Sequence, residues 1–326
     1  MIDYKGNHLR AESTEKRGFA YRKITVFADF AYLCTKRRRT GAGKKSMKRT
    51  FGLGLLAVAL LASACGGRAA RRGHAEASEA DIRPQTAASV PSEAPVRYTY
   101  EVVAEYPHDT EAYTQGLYWK DGFFYEGTGG NGRSELRKVD PATGRVLQRT
   151  RLDRQYFGEG IALFGDRIYQ LTWVTGKAYV YDAQNFRPVR TFVYDGEGWG
   201  LTTDGKYLYM SDGSERIAVR DPETFGIVRT FEVTSQGYPV DQLNELEWID
   251  GLIWANRYLY DEVVMIDPRS GHVVGVIDFS DLQAPEDVLP QTDVFNGIAY
   301  DAETGAIYVT GKNWNKVYRV KIVKVA

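Results

Sequence analysis

The feature that most constrains this chain is an internal repeat. From Tyr113 onward one unit recurs: a small-residue opening, a strand, a turn, an aromatic strand, a strand ending in Asp, then a turn and a β-branched strand. The openings are Gln115-Gly116-Leu117, Glu159-Gly160-Ile161, Trp199-Gly200-Leu201, Asn244-Glu245-Leu246 and Asn296-Gly297-Ile298, spaced by 44, 40, 45 and 52 residues. That spacing is close to the four-stranded unit of a β-propeller blade. The turns are chemically explicit, with Asp204-Gly205 and Asp250-Gly251 in first hairpins and Asp140-Pro141-Ala142-Thr143-Gly144 and Asp267-Pro268-Arg269-Ser270-Gly271 in second ones. Aromatics at 13% and 33 glycines suit many short strands and tight turns, not a helical bundle.

The fifth unit has no fourth strand after Val317–Val323. The missing strand stands ahead of the first unit: Tyr98–Glu105 reads like the outer strands Arg145–Arg149, Val189–Val193, Ile227–Val233 and Val273–Ile277. The expectation is an all-β, five-bladed β-propeller over residues 97–326. Its four-stranded antiparallel blades are closed by the N-terminal strand joining the last blade. Closure removes exposed β edges, so no partner is needed to cover one, and a monomer is expected.

The head of the chain has a different job. The 42 basic and 42 acidic residues cancel, which argues against nucleic acid as a partner, but residues 1–50 hold 14 basic against 4 acidic. Met47-Lys48-Arg49 precedes Phe51–Ala64, a run of 14 uncharged residues. That run is too short to span about 30 Å of hydrocarbon as a helix and fits the apolar region of a secretory signal. It ends in Ala62-Ser63-Ala64-Cys65-Gly66, similar to a bacterial lipobox with Ala62 where leucine is most common. Residues 47–65 therefore read as a lipoprotein signal, with Cys65 lipidated and the protein membrane-anchored in the cell envelope. Gly66 favours the periplasmic side of an outer membrane. An ordinary signal peptide with a chance cysteine is the alternative. Residues 1–46 read as an over-extended start upstream of Met47. Residues 66–96, almost without large apolar side chains, read as a flexible tether. The remaining cysteine, Cys34, lies in the upstream segment, so the mature chain would have no disulfide and no thiol nucleophile.

In a four-stranded antiparallel blade, the start of strand one and the end of strand two share a face. Gln115, Glu159, Trp199, Asn244 and Asn296 should therefore converge near the axis. Trp173, Arg257 and Lys312 should form a second ring around them. A purely structural ring would be repetitive and apolar or lined by glycine. These positions are polar or aromatic and mostly different, which predicts an asymmetric polar pocket with aromatic walls.

The same segments carry a resemblance. Tyr113-Thr114-Gln115-Gly116, Tyr156-Phe157-Gly158-Glu159-Gly160, Gly198-Trp199-Gly200-Leu201, Leu243-Asn244-Glu245-Leu246-Glu247 and Thr310-Gly311-Lys312-Asn313-Trp314 resemble the plant-type (papaya-type) glutaminyl-peptide cyclotransferases. The resemblance runs from about Tyr98 to Ile322. It implies a five-bladed propeller acting on peptides or proteins with N-terminal glutamine, which become pyroglutamate with loss of ammonia.

Lactam formation needs a neutral α-amine to attack the γ-carbonyl, then a proton on the departing ammonia. One carboxylate can serve as base and then as acid. Glu159 is the candidate: it is the only acid among the first positions of the five openings and is similar to the family's catalytic glutamate. Trp199 and Trp173 beside it would reduce its solvation and raise its pKa. Lys312 and the amides of Gln115 and Asn244 suit the carbonyl oxygen and its developing charge. Trp173, Trp199 and Tyr113 would wall the glutamine side chain. Tyr258 stands where the family often has tryptophan, and Asn296 is given a positioning role. The blander readings are a Glu159 that caps backbone amides, a solvated Lys312, and aromatics that only pack.

No cofactor is implied. His8, His74, His108 and His272 form no cluster with zinc spacing, so no metal ligands are assigned, and a Ser-His-Asp hydrolase is disfavoured for the same reason. The competing class is a non-catalytic envelope propeller lipoprotein that binds peptides or glycans. A metal-dependent lactonase would need several inward acids, and only Glu159 qualifies by position.

Overall fold

The computed structural model describes residues 93–326. The expectations for the upstream segment, the signal, Cys65 and most of the tether lie outside the described residues. Secondary structure within them is strand throughout, apart from one 3-10 turn at Pro285–Asp287.

The described chain opens with a long strand, β1 (Val96–Pro107). Three four-stranded antiparallel sheets follow in sequence order. The first holds β2 (Thr114–Lys120), β3 (Phe123–Thr128), β4 (Glu135–Val139) and β5 (Val146–Arg151). The second holds β6 (Gly158–Phe164), β7 (Arg167–Thr172), β8 (Lys177–Asp182) and β9 (Pro188–Val193). The third holds β10 (Leu201–Thr203), β11 (Leu208–Ser211), β12 (Arg216–Arg220) and β13 (Ile227–Glu232). A small hairpin, β14 (Thr234–Ser235) and β15 (Tyr238–Pro239), is an addition that the repeat does not announce. Next come β16 (Leu243–Ile249), β17 (Leu252–Arg257), β18 (Glu262–Ile266) and β19 (Val273–Asp278). The last three are β20 (Phe295–Asp301), β21 (Ala306–Gly311) and β22 (Lys316–Lys324).

The clasp expected between the two ends of the repeat region is present. β1 pairs antiparallel with β22 from Tyr98–Lys324 to Pro107–Lys316, with a bulge between Val102 and Ala104. It supplies the fourth strand that the last unit lacks. Its first residues also pair in parallel with β19, Val96 opposite Gly275, which joins the last two units into one eight-stranded sheet. The arrangement is propeller-like.

Burial follows strand position. The opening strands are enclosed on both faces, as in Thr114–Tyr118 and Gly158–Ala162, whereas the outer strand Pro188–Val193 is almost wholly exposed. The innermost strands touch in the cyclic order β2, β6, β10, β16, β20 and back to β2. Apolar layers fill the wedges between sheets. Tyr209, Val219, Leu246, Ile253 and Val264 pack between the third and fourth units. Leu117, Phe124, Tyr308 and Val317 pack between the first and the last. Each such aliphatic or aromatic side chain contributes about 1.5–3 kcal/mol on full burial.

The openings explain how strands approach so closely at the axis. A Cβ on Gly160 would stand 2.6 Å from the carbonyl oxygen of Trp199, and one on Gly200 would overlap that of Asn244. At the fourth opening Glu245 replaces glycine, and its carboxylate is buried between inner strands. It accepts from Leu117 N of β2 at 3.2 Å and from Ile298 N of β20 at 2.9 Å. One side chain thereby links three inner strands.

Candidate active site

The backbone geometry that forms each opening also sets the pocket. Gln115, Glu159, Asn244 and Asn296 are all buried, and Trp199 is half-buried. Gln115 joins its neighbours on both sides: Nε2 donates to Glu159 Oε1 at 3.2 Å, and Oε1 lies 3.5 Å from Asn296 Nδ2. Asn296 Nδ2 makes its better hydrogen bond to Thr114 O, at 3.0 Å. The Oδ1 of Asn244 is buried without a hydrogen-bond partner among the described residues. An acceptor in that condition costs about 1–3 kcal/mol, which a donor on a bound molecule would offset.

Lys312 follows β21 and is held by its backbone, which pairs with Val294 O and Asp293 N, each at 2.9 Å. Its ammonium lies 5.0 Å from the ring centroids of both Tyr113 and Tyr258. Tyr258 meets Trp199 edge-on at 5.6 Å, Tyr113 meets Phe157 edge-on at 6.1 Å, and Phe157 meets Trp173 at 5.8 Å. Trp173, Phe157, Tyr113, Lys312, Tyr258 and Trp199 thus form a chain of contacts, aromatic but for one cation.

Charge in this enclosure is shifted by burial. Glu159 is pushed well above the ordinary carboxylate range by desolvation; Lys312 opposes the shift and Glu197 adds to it. Lys312 is lowered by its own desolvation, against the pull of Glu159 and Asp293. Burial, Asp293 and the neighbouring phenol drive Tyr113 up, with Asp293 also hydrogen-bonded to its hydroxyl. Glu159 and Lys312 are therefore both displaced toward neutrality.

Arg257, expected in the second ring, has polar partners of its own. Arg257 is held by Glu262 at 2.7 Å and by Asp241 O at 3.1 Å, and stacks on Tyr260 at 4.1 Å. Glu159 is not the lone inward acid: Glu245 is equally buried, and the nearby Glu247 is partly buried. Their roles differ, however. Glu245 and Glu247 accept backbone amides, the latter from Tyr300 N at 3.0 Å. Glu159 instead meets the side-chain amide of Gln115. The capping role considered for Glu159 belongs to Glu245.

Sequence reasoning missed Glu197 and Asp293. The indoles of Trp173 and Trp199 donate to Glu197 Oε2 at 2.7 and 2.9 Å, so the tryptophan N–H groups address Glu197 and not Glu159. Asp293 carries the hydrogen bond to Tyr113. Both acids sit in connecting loops, where an acid reads as ordinary turn chemistry. Only the tertiary convergence reveals them. His108 bridges Trp314 O at 2.8 Å and Glu126 at 3.0 Å. Among the described residues no three His, Cys, Asp or Glu side chains gather in a way that could hold a metal.

Fold and site together define an all-β protein of repeated four-stranded sheets, with a buried carboxylate and a buried lysine beside a run of contacting aromatic rings. The chain belongs to the glutamine cyclotransferase family, whose pattern it matches over residues 75–322. It is 41% identical over 228 residues to the glutaminyl-peptide cyclotransferase of Arabidopsis thaliana, covering 68% of this chain and 71% of that one. It is also similar to the crystal structure of Myxococcus xanthus glutaminyl cyclase, with TM-score 0.67 and 37% identity, covering 71% of this chain and 100% of that one.

Proposed function

We propose that this chain is a glutaminyl-peptide cyclotransferase that converts the N-terminal glutamine of peptides and proteins to pyroglutamate and releases ammonia. Family membership supplies the reaction. The single observation that carries the mechanism is Glu159, desolvated and buried beside Lys312 within an aromatic enclosure.

In this reading the substrate's α-amine, in its neutral form, attacks the γ-carbonyl carbon, and a C–N bond closes the five-membered ring. Glu159 removes the proton from the attacking nitrogen and delivers it to the side-chain nitrogen. The bond from that nitrogen to the γ-carbon then breaks, and ammonia leaves. Lys312 and the amides of Gln115 and Asn244 stabilise the negative charge that grows on the carbonyl oxygen. Tyr113, Trp173, Trp199 and Tyr258 fold the side chain toward the amine, and Asn296 orients Gln115. All of these steps use groups of the chain itself, so activity is expected to survive chelators.

The cyclic contact of inner strands and the β1–β22 clasp support a closed five-bladed propeller, acting as a monomer. The signal-like run ending at Cys65 supports a lipid-anchored protein on the periplasmic side of the cell envelope. A mature N-terminus upstream of Cys65, or an unmodified one, would remove that part of the reading. The test of function is ammonia release from a glutamine-led dipeptide by the purified full chain, with and without EDTA. Release in both supports the proposal. Binding without release would favour the non-catalytic peptide-binding alternative.

A further inference from the structure

Glu197 takes no part in the chemistry above, yet both tryptophan walls converge on it. Trp173 follows β7 and Trp199 precedes β10, so the two indoles arise from different sheets. They donate to the same oxygen, Glu197 Oε2, at 2.7 and 2.9 Å. A charged acceptor makes such bonds roughly twice as strong as a neutral one. The backbone repeats the tie, because Gly198 N donates to Trp173 O at 2.9 Å. The turn itself has little freedom: Gly196 has φ +85°, and a side chain at Gly198 would collide with the Tyr194 hydroxyl. Among the described residues no lysine or arginine forms an ion pair with Glu197, so its charge is left to act on the pocket.

We propose that Glu197 is the positioning residue of this pocket, one carboxylate that fixes Trp173 and Trp199 as the two walls against which the N-terminal glutamine side chain folds. The proposal rests on the cyclotransferase reading and adds to it a residue that touches neither amine nor carbonyl. A second consequence is electrostatic. Glu197 reinforces the upward displacement of Glu159, so its charge also sets where the acidic limb of activity lies.

The test uses the full chain and three variants of known consequence. Wild type must first release ammonia from a glutamine-led dipeptide; failure there overturns the function and leaves the tryptophan geometry to be judged by fluorescence alone. E197A removes both indole acceptors. It is expected to lower kcat/KM by roughly 10²-fold, chiefly through KM, the scale on which small misplacements register. Its tryptophan emission should shift while the melting temperature stays near that of wild type. E197Q retains an amide oxygen that can accept both indoles, and E197D keeps the charge on a shorter arm. E197Q should recover most of the KM, and the acidic limb of its kcat/KM profile should move to lower pH because a negative charge beside Glu159 is gone. E197D should leave that limb in place. An E197A enzyme with wild-type KM and wild-type emission overturns the proposal. If E197A fails to fold, an acidic limb unmoved in E197Q overturns it instead.

Discussion

Glu159 and Lys312 are displaced by the same cause, loss of water, and in the proposed mechanism each must regain its charge to act. Glu159 has to be ionised to accept a proton, so the acidic limb of kcat/KM should lie above the usual carboxylate range. Lys312 has to be protonated to hold an oxyanion, so the alkaline limb should fall below the ordinary lysine value of 10.5. A pH–rate profile on a neutral dipeptide checks both limbs. Glu159→Gln should keep fold and affinity but lower kcat by about 10²–10⁴-fold, the usual range for an acid–base group. Lys312→Met should cost less, because Gln115 and Asn244 still reach the oxygen, and Trp199→Ala should act mainly on KM. Near-normal kcat in Glu159→Gln, with loss in Lys312→Met, would reassign the proton path to the lysine. At this scale the repeat made the first residue of each opening legible as a buried or half-buried position. The ring of openings pointed to Gln115, Glu159, Asn244 and Asn296 because their register is fixed by the strand that follows. Glu197 and Asp293 were not legible, since loop acids acquire meaning only from side chains that reach them from other sheets.

Among elements, the inner strands carry the tightest constraint. The approach of β6 to β10 and of β10 to β16 leaves no room for a side chain at Gly160 or Gly200. Gly200→Ala should therefore destabilise the protein by about 1–3 kcal/mol, the range for overfilling a packed site. A denaturant titration of the variant reads this directly, and an unchanged midpoint would mean that β10 yields more easily than its contacts imply. The strand plan itself was readable from turn chemistry. The six strands given bounds, the outer ones and Val317–Val323, lie within two residues of the observed ones, as in Ile227–Val233 against the observed Ile227–Glu232. The hairpin β14–β15 was not readable, because it is an insertion within one unit and a repeat shows only what its copies share. The same limit hid Glu245, which breaks the glycine pattern at a single opening and uses the departure to join β16 to β2 and β20.

Over the whole molecule, buried acids of opposite character bracket stability. Glu247 is raised to about 8, mainly by desolvation, so the fold favours its neutral form. Its contribution is complete below about pH 4.5, the ordinary glutamate value, and is lost as pH rises through about 8. Glu126 behaves oppositely. Burial alone would raise it, but Arg137 and His108 outweigh that and hold it below the usual range. Its contribution is present above its unfolded value and is lost as pH falls. Melting temperatures across this span should decline at both ends. Glu247→Gln should flatten the alkaline decline and leave the acidic one; a variant that melts like wild type at every pH would mean that Glu247 is charged in the fold.

The pairing of β1 with β22 also has a consequence for how the protein is made. The strand nearest the described N-terminus finds its antiparallel partner only in residues close to Ala326, so every intervening unit must exist before the two can meet. Contacts of that separation form slowly and late. A nascent chain can assemble hairpins as it emerges, but this latch waits until β22 has been translated. Until then the edges of β1 and of the last unit remain open to other strands. Quality control of this molecule therefore concentrates at one seam, and a chain whose Lys316–Lys324 strand is disrupted should be a better substrate for proteases than wild type.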